Sequence, residues 1–427
     1  MTSPPPARGA RAVLASGILL GVVMLASMAL ERAHMVAANF EVYRVAAEAA
    51  LAGADFYDVA PERFPEFYYL YPPITIVPFL PFTVVGLRTG FAVHTLLEVG
   101  VGLLLAWVIV RWIERHRDLE RLDYAMIAGF VVASVHTMPS LVYGQVNLRM
   151  GLLVGLGLWL LERSVSADAA TGRLSSDRLE TLGGVALGGA ALLKVFPAAV
   201  GVWLLRLRAW RAVAGALVTG VGGLALGVAI FGLDRTRTFF RDALLGRTDD
   251  AVFAGGLDPM ETYVTVRRPL SYLLPDLEPT LLWPLAAVVL APLLAYVYTD
   301  LETSTDRLLA AHATLLAVFV YFPSYPLYYP IVFATLVPAV YLVADPLARG
   351  LLVGGALLAN VVVMGRTFAS IVELVPSPFA GPLETVGFAV LSVASPVLVG
   401  CLVMLAGCVC HRYRRGVARE STGRASS

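Results

Sequence analysis

The chain has 427 residues, 58% hydrophobic and only 15% charged, with a formal net charge of +1. Soluble domains carry about 45–50% apolar and about 25% charged residues, so this reads as a polytopic membrane protein. A near-neutral chain offers no general field to recruit nucleic acid. Cys401, Cys408 and Cys410 all fall in or at the end of the last apolar segment and form neither a disulfide framework nor a zinc spacing.

A bilayer crossing needs about 20 apolar residues. Arg8 and Arg11 precede the run Ala12–Leu30, which is span-length and reads as an uncleaved first span rather than a signal peptide. Further spans are expected at Gly90–Ile113, Asp123–Leu141, Leu148–Leu161, Ala209–Leu233, Thr280–Tyr298, Arg307–Tyr321, Pro326–Ala344, Leu347–Met364 and Leu383–Cys410. Pro72–Val85 is apolar but short. Leu182–Leu205 has span length but is interrupted by Lys194 and Pro197. Ser3–Pro6 and Glu420–Ser427 read as frayed termini.

Basic residues in short connections set orientation. Arg8 and Arg11 place the N-terminus inside, and the loop from Glu31 to Tyr71 then falls outside. Arg111, Arg115, Arg117 and Arg121 mark an inner connection, so Pro72–Val85 lies in the interface or re-enters rather than crosses. Arg206, Arg208 and Arg211 lie inside if Leu182–Leu205 is a hairpin turning at Lys194–Pro197, which is the preferred reading. The fold class expected is an all-α polytopic integral membrane protein of about 12 spans, with interfacial helices in the first outer loop. It reads as one membrane domain over 1–427. Residues 1–11 and 411–427 form cytoplasmic tails, and 31–89 and 234–279 form the two large extracellular loops.

That topology gathers the polar, aromatic connections on one face. In the first loop, Asn39-Phe40-Glu41-Val42-Tyr43-Arg44 opens a short helix ending at Gly53. Its apolar residues recur at helical spacing, which lays it on the membrane surface. Glu41 is there a candidate general base for a hydroxyl, or a solvated loop acid. Tyr68 and Tyr71, before Pro72-Pro73, form a wall for a sugar ring or an aromatic belt. Gln145 and Asn147 lie between two spans, where amides need partners. They hydrogen-bond a substrate hydroxyl or cap a turn; His136 and Arg149 nearby are weaker candidates. Lys194 interrupts an apolar run, at a cost of about 2.5–3.5 kcal/mol on insertion scales. It snorkels to an interface, or an anion such as a lipid phosphate offsets the cost. Arg267 and Arg268 end the second outer loop against the orientation rule, which suggests an anion at Arg268. Tyr325 and Tyr328 start a span on the same face. His94, Glu98 and His312 lie in spans and read as packing or pairing residues. Asp249, Asp250 and Asp258 share one loop, a poor metal hint on which no metal is assigned. No nucleotide or metal motif is present, so no cofactor is expected and an activated donor would have to be a lipid.

Taken together, the sequence resembles glycosyltransferase family 87. The carriers are xFxVYRxAAxAxLAGxxxYD from Asn39 to Asp58, the aromatic-YPP of Phe67 to Pro73, GQVN at Gly144–Asn147 and KxFP at Lys194–Pro197, in that order, with the similarity running from Ala12 to about Ala344. The resemblance implies the membrane GT-C fold class and a polyprenyl-phosphate-sugar donor. It further implies transfer of a hexose, mannose in the family, to a lipid or glycan acceptor outside the cell with inversion at the anomeric carbon. On that reading Asn39, Tyr43 and Arg44 join the substrate site, and Lys194 and Arg268 hold the donor phosphate. One departure stands out. The family often carries an acid four residues before the tyrosine of VY, and Asn39 stands there. Glu41, Asp55 or Asp58 then takes the role, or activity is lost. Two other classes compete: a glycolipid transporter, for which internal repeats and broken helices are the usual sign, and a non-catalytic membrane partner, which Asn39 would favour.

Overall fold

A computed structural model of the chain describes residues 7–166, 175–246 and 250–425. The expected frayed segment Ser3–Pro6 lies outside them. The described residues are helical and contain no strand; Val264 and Ser324 make one isolated antiparallel bridge. In chain order the first helices are α1 (Arg8–Glu31), α2 (Ala38–Leu51), α3 (Leu87–Glu114), α4 (Arg121–Ala133), α5 (Thr137–Tyr143) and α6 (Asn147–Val165). They are followed by α7 (Ser176–Leu193), α8 (Gly201–Arg206), α9 (Trp210–Phe231), α10 (Leu233–Thr238), α11 (Arg267–Leu273) and α12 (Leu282–Val297). The last are α13 (Ser304–Tyr321), α14 (Phe333–Leu342), α15 (Pro346–Ala359), α16 (Gly365–Glu373), α17 (Ser377–Val393) and α18 (Pro396–Ala425).

Among the described residues, five helical segments are long and apolar enough to cross a bilayer: α1, α3, α9, Pro279–Val297 and Pro396–Arg419. The pair α4 and α5, bent by 48°, makes a sixth if it is one broken span. The bend sits where Pro139 would drive its ring into the Val135 carbonyl if the helix ran on. The expected Pro72–Val85 segment is a 3-10 helix over Pro73–Val84. The expected span Leu383–Cys410 is two helices. Pro396 starts the second one, and the Ser395 hydroxyl accepts from the Leu398 N–H at 3.3 Å.

The chain divides into two compact units. Gly21–Trp112 and Ile127–Asp249 make one. Its core is aromatic: Phe40, Tyr43, Phe56, Tyr69, Phe79 and Phe82 pack together between α2, the first loop and the 3-10 helix. Here α7 lies against α6 and α9. Gly184 makes the second contact close, since a Cβ there would stand 2.0 Å from the Ala212 carbonyl oxygen, the small-residue packing expected of membrane helices.

Met1–Leu20, Ile113–Met126 and Asp250–Ser427 make the other unit. Its centre is α13, buried over almost its whole length, with α15 packed along α18. Thr303 and Asp306 close the start of α13 as a reciprocal capping box. Charges near both ends of the chain are paired here. Arg11 meets Asp123 at 2.8 Å, and Arg419 meets Asp300 at 2.7 Å.

Candidate functional site

In the unit containing α2, four breaks in helical structure converge. The first is the start of α2. Ala37 takes a left-handed conformation, φ 66°, and its N–H donates to the Val142 carbonyl at 2.9 Å. A non-glycine residue there costs roughly 1–2 kcal/mol, so the surrounding contacts must hold it. Phe40 and Tyr43 then face the aromatic core, while Glu41 and Arg44 project elsewhere around the helix.

The second break follows α5. Gly144 has φ 76°, its N–H donates to Leu141 O, and the Gln145 N–H reaches back to Ser140 O at 2.8 Å. This is a Schellman cap, which wants glycine at the left-handed position. Space demands glycine too, because a Cβ on residue 144 would lie 2.6 Å from the Phe40 Cβ. The turn points Gln145 inward and starts α6 at Asn147.

The third break is Lys194. Pro197 would clash with the Leu193 carbonyl in a continued helix, α7 stops, and Lys194 is extended at φ −149°, ψ 135°. The fourth is the YPP corner, where Tyr71 precedes the 3-10 helix.

These breaks bring five of the sequence-predicted residues together. The Tyr43 hydroxyl lies 3.0 Å from Gln145 Oε1 and 3.1 Å from the Tyr71 hydroxyl, which itself lies 3.3 Å from Gln145 Oε1. Lys194 Nζ donates to Asn147 Oδ1 at 2.9 Å, and Asn147 Nδ2 donates to Ser140 Oγ at 3.1 Å. Lys194 Nζ also sits 5.9 Å from the centre of the Tyr71 ring, a cation–π approach. Gln145, Asn147 and Lys194 are all buried. Burial pushes the Tyr71 phenol up to about 12, while the bond with Tyr43 pulls it down, so Tyr71 keeps its proton at neutral pH. Tyr57 braces the corner by donating to the Tyr71 carbonyl at 2.6 Å.

The other predicted residues fall elsewhere. Glu41 accepts from Arg63 Nη1 at 3.0 Å, and Arg63 also donates to the His34 carbonyl at 2.8 Å. Asp55 is paired with Arg235 at 2.5 Å, and Asp58 is exposed. Arg44 pairs with Glu48 along α2 at 2.9 Å. Asn39 and Tyr68 are half-buried.

Arg268, Tyr325 and Tyr328 belong to the other unit. Arg268 is buried and donates to four backbone carbonyls: Tyr263, Asp258, Glu261 and Leu391. Burial lowers it to about 10. That is the geometry of a loop staple, not of an open phosphate clamp. Its neighbour Arg267 stacks between Phe253 and Trp283, 3.9 and 4.2 Å from the ring centres, and pairs with Asp250 at 2.5 Å. Asp249 lies outside the described residues. Tyr325 packs on Tyr263 with ring centres 5.1 Å apart and on Tyr328 at 5.8 Å.

Sequence reasoning passed over Arg63, Ser140 and Arg235. Arg63 lies in the first loop, Ser140 in α5 and Arg235 in α10, and only their partners mark them.

Long apolar helices with a buried lysine–amide–tyrosine cluster at their breaks define a membrane-embedded protein with an internal polar site. Comparison with known families names the class more narrowly. The model of glycosyltransferase family 87 matches residues 69–324, more than half of the chain, and the chain belongs to that family; it is a membrane glycosyltransferase. The matched region holds Tyr71, Gln145, Asn147, Lys194 and Arg268 and starts after Glu41 and Tyr43. No curated protein and no solved structure matched the chain.

Proposed function

We propose that the protein moves a hexose, mannose in our reading, from a polyprenyl-phosphate donor to a hydroxyl of a lipid or glycan acceptor, inverting the anomeric centre. The observation that carries this is Lys194: a buried amine hydrogen-bonded to Asn147 Oδ1 beside the Tyr71 ring. A lipid phosphate is the anion that reaches such depth, and burial strengthens its attraction to the ammonium. In the reaction the acceptor oxygen bonds to the anomeric carbon as the carbon–oxygen bond to phosphate breaks. The electron pair leaves on the phosphate oxygen, where Lys194 meets the growing charge. The acceptor proton passes to a carboxylate, and Glu41 is our choice. It stands two residues before Tyr43 on α2, on a different side of the helix, and accepts from the half-exposed Arg63. Gln145 with Tyr43 and Tyr71 supplies hydroxyl and amide contacts to the sugar. Arg268 takes no part in this scheme. The expected topology goes with it: a GT-C-like arrangement of about twelve crossings in the cell membrane, with both termini cytoplasmic and the site outward.

The test is purified protein in liposomes with radiolabelled polyprenyl-phospho-mannose and a hydroxyl-bearing lipid acceptor. Label moving to the acceptor with release of polyprenyl phosphate supports transfer. Movement of intact donor between leaflets without cleavage would replace this reading with transport.

A further inference from the structure

A chain of polar side chains that the proposed chemistry leaves unused ends on the Gly144–Gln145 turn. His94 and Glu98 stand four residues apart on α3 and share one face. Both are fully buried. Arg149, one half-turn past Asn147 on α6, donates its Nε to Glu98 Oε1, and its Nη2 lies 3.3 Å from His94 Nδ1. The other ring nitrogen, Nε2, lies 3.1 Å from the Gly144 carbonyl oxygen. These partners fix the tautomer. A guanidinium only donates, so Nδ1 accepts; the ring proton sits on Nε2 and is given to Gly144 O. The ring itself is wedged among Phe40, Phe79 and Phe82, with centres 5.2, 5.9 and 6.2 Å away.

The carbonyl held in this way belongs to the peptide that joins Gly144 to Gln145. Rotation of that peptide would swing the Gln145 N–H off Ser140 O and move Gln145 Oε1 from both tyrosine hydroxyls. We propose that His94, held by Arg149 and Glu98, is a positioning residue that locks this peptide and so sets the angle at which Gln145 and Asn147 meet Tyr43, Tyr71 and Lys194. The competing account is a core histidine that merely fills an aromatic box. The two differ in which substitution is tolerated. His94→Phe keeps the volume and ring contacts but loses both hydrogen bonds. His94→Gln gives up the ring, yet its amide oxygen accepts from Arg149 and its NH2 donates to Gly144 O.

The experiment uses the full chain in nanodiscs and reads hydrogen–deuterium exchange of the peptide over residues 142–150, with turnover of polyprenyl-phospho-mannose alongside. Only the turnover arm rests on the proposed function. His94→Phe should speed exchange of the Gln145 amide about tenfold, the effect of a local opening made one decade easier. It should also lower kcat about tenfold with KM little changed. His94→Gln should return both to within about threefold of wild type. Should His94→Phe not fold, Arg149→Met/Glu98→Leu removes the support from its far end without leaving a lone buried charge, and the same exchange change is expected. Wild-type exchange in His94→Phe or in that double variant, or better retention in Phe than in Gln, overturns the proposal. If the wild type turns over no polyprenyl-phospho-mannose, the functional reading falls and the exchange result alone decides this one.

Discussion

Lys194→Met separates a catalytic cation from a structural one, because the two accounts predict opposite changes. The substitution keeps an unbranched stem of similar length and removes the ammonium. Folding loses the bond from Nζ to Asn147 Oδ1 at 2.9 Å, a charge-assisted bond worth about 1.5–3 kcal/mol. Folding also stops bearing the desolvation of a buried cation, which amounts to several kcal/mol even after relaxation. The terms oppose each other, and the net change should lie within about 2 kcal/mol of zero. Activity has no such compensation. A preorganised donor at a developing charge contributes about 2.7–4 kcal/mol, so kcat/KM should fall by roughly 10²–10³. The assay pairs a thermal unfolding curve in detergent with release of polyprenyl phosphate from polyprenyl-phospho-mannose. A well-folded Lys194→Met enzyme within threefold of wild-type kcat/KM would refute the phosphate role. A collapsed unfolding midpoint, with activity per folded molecule intact, would show the lysine to be architecture.

Gly144→Ala should destabilise by about 2–4 kcal/mol, from the left-handed penalty and from overpacking against Phe40; a midpoint unmoved in a thermal melt would contradict the packing. Glu41→Gln should lower kcat by about 10²–10⁴ if that carboxylate takes the acceptor proton. If it turns over normally while Asp58→Asn or Asp55→Asn does not, the base is one of those. Arg268→Lys should cost about 2–4 kcal/mol of stability, because one ammonium cannot reach four carbonyls. Its kcat per folded molecule should stay near wild type, and a selective loss of kcat would return Arg268 to the donor phosphate.

Much of the buried polar cluster was legible because its polar residues sit where an apolar chain has no reason to place them. Lys194 stood out as the single charge in the run Leu182–Leu205, and the same residue with Pro197 told where the helix must stop. GQVN stood out because two amides between two spans need partners. The sequence was silent on orientation around α2. Glu41 and Tyr43 are only two positions apart on paper, yet at about 100° per residue they face different sides, and one meets Arg63 while the other meets Gln145. Arg268 misled for a related reason. An arginine in an outer loop looks like an anion clamp, but one of its carbonyl partners, Leu391, lies 123 residues away and leaves no trace in local spacing. The long final apolar stretch was read as one span because hydropathy is blind to Ser395-Pro396 acting as a cap.

The convergence of breaks has an energetic logic. Inside an apolar bundle an intact helix satisfies its own backbone and leaves nothing to bind a polar ligand. Each break frees carbonyls and N–H groups that must be satisfied at once, at several kcal/mol apiece if they are not. Here the breaks answer one another: Ala37 bonds to Val142, Gln145 to Ser140, Asn147 to Ser140, and Lys194 to Asn147. A polar centre assembled this way is rigid, since moving any one break unsatisfies the next. That is the condition for aiming an ammonium and an amide at a charge that appears only in the transition state. It also explains why a side chain as remote as His94 can matter: holding one carbonyl at Gly144 holds the whole set.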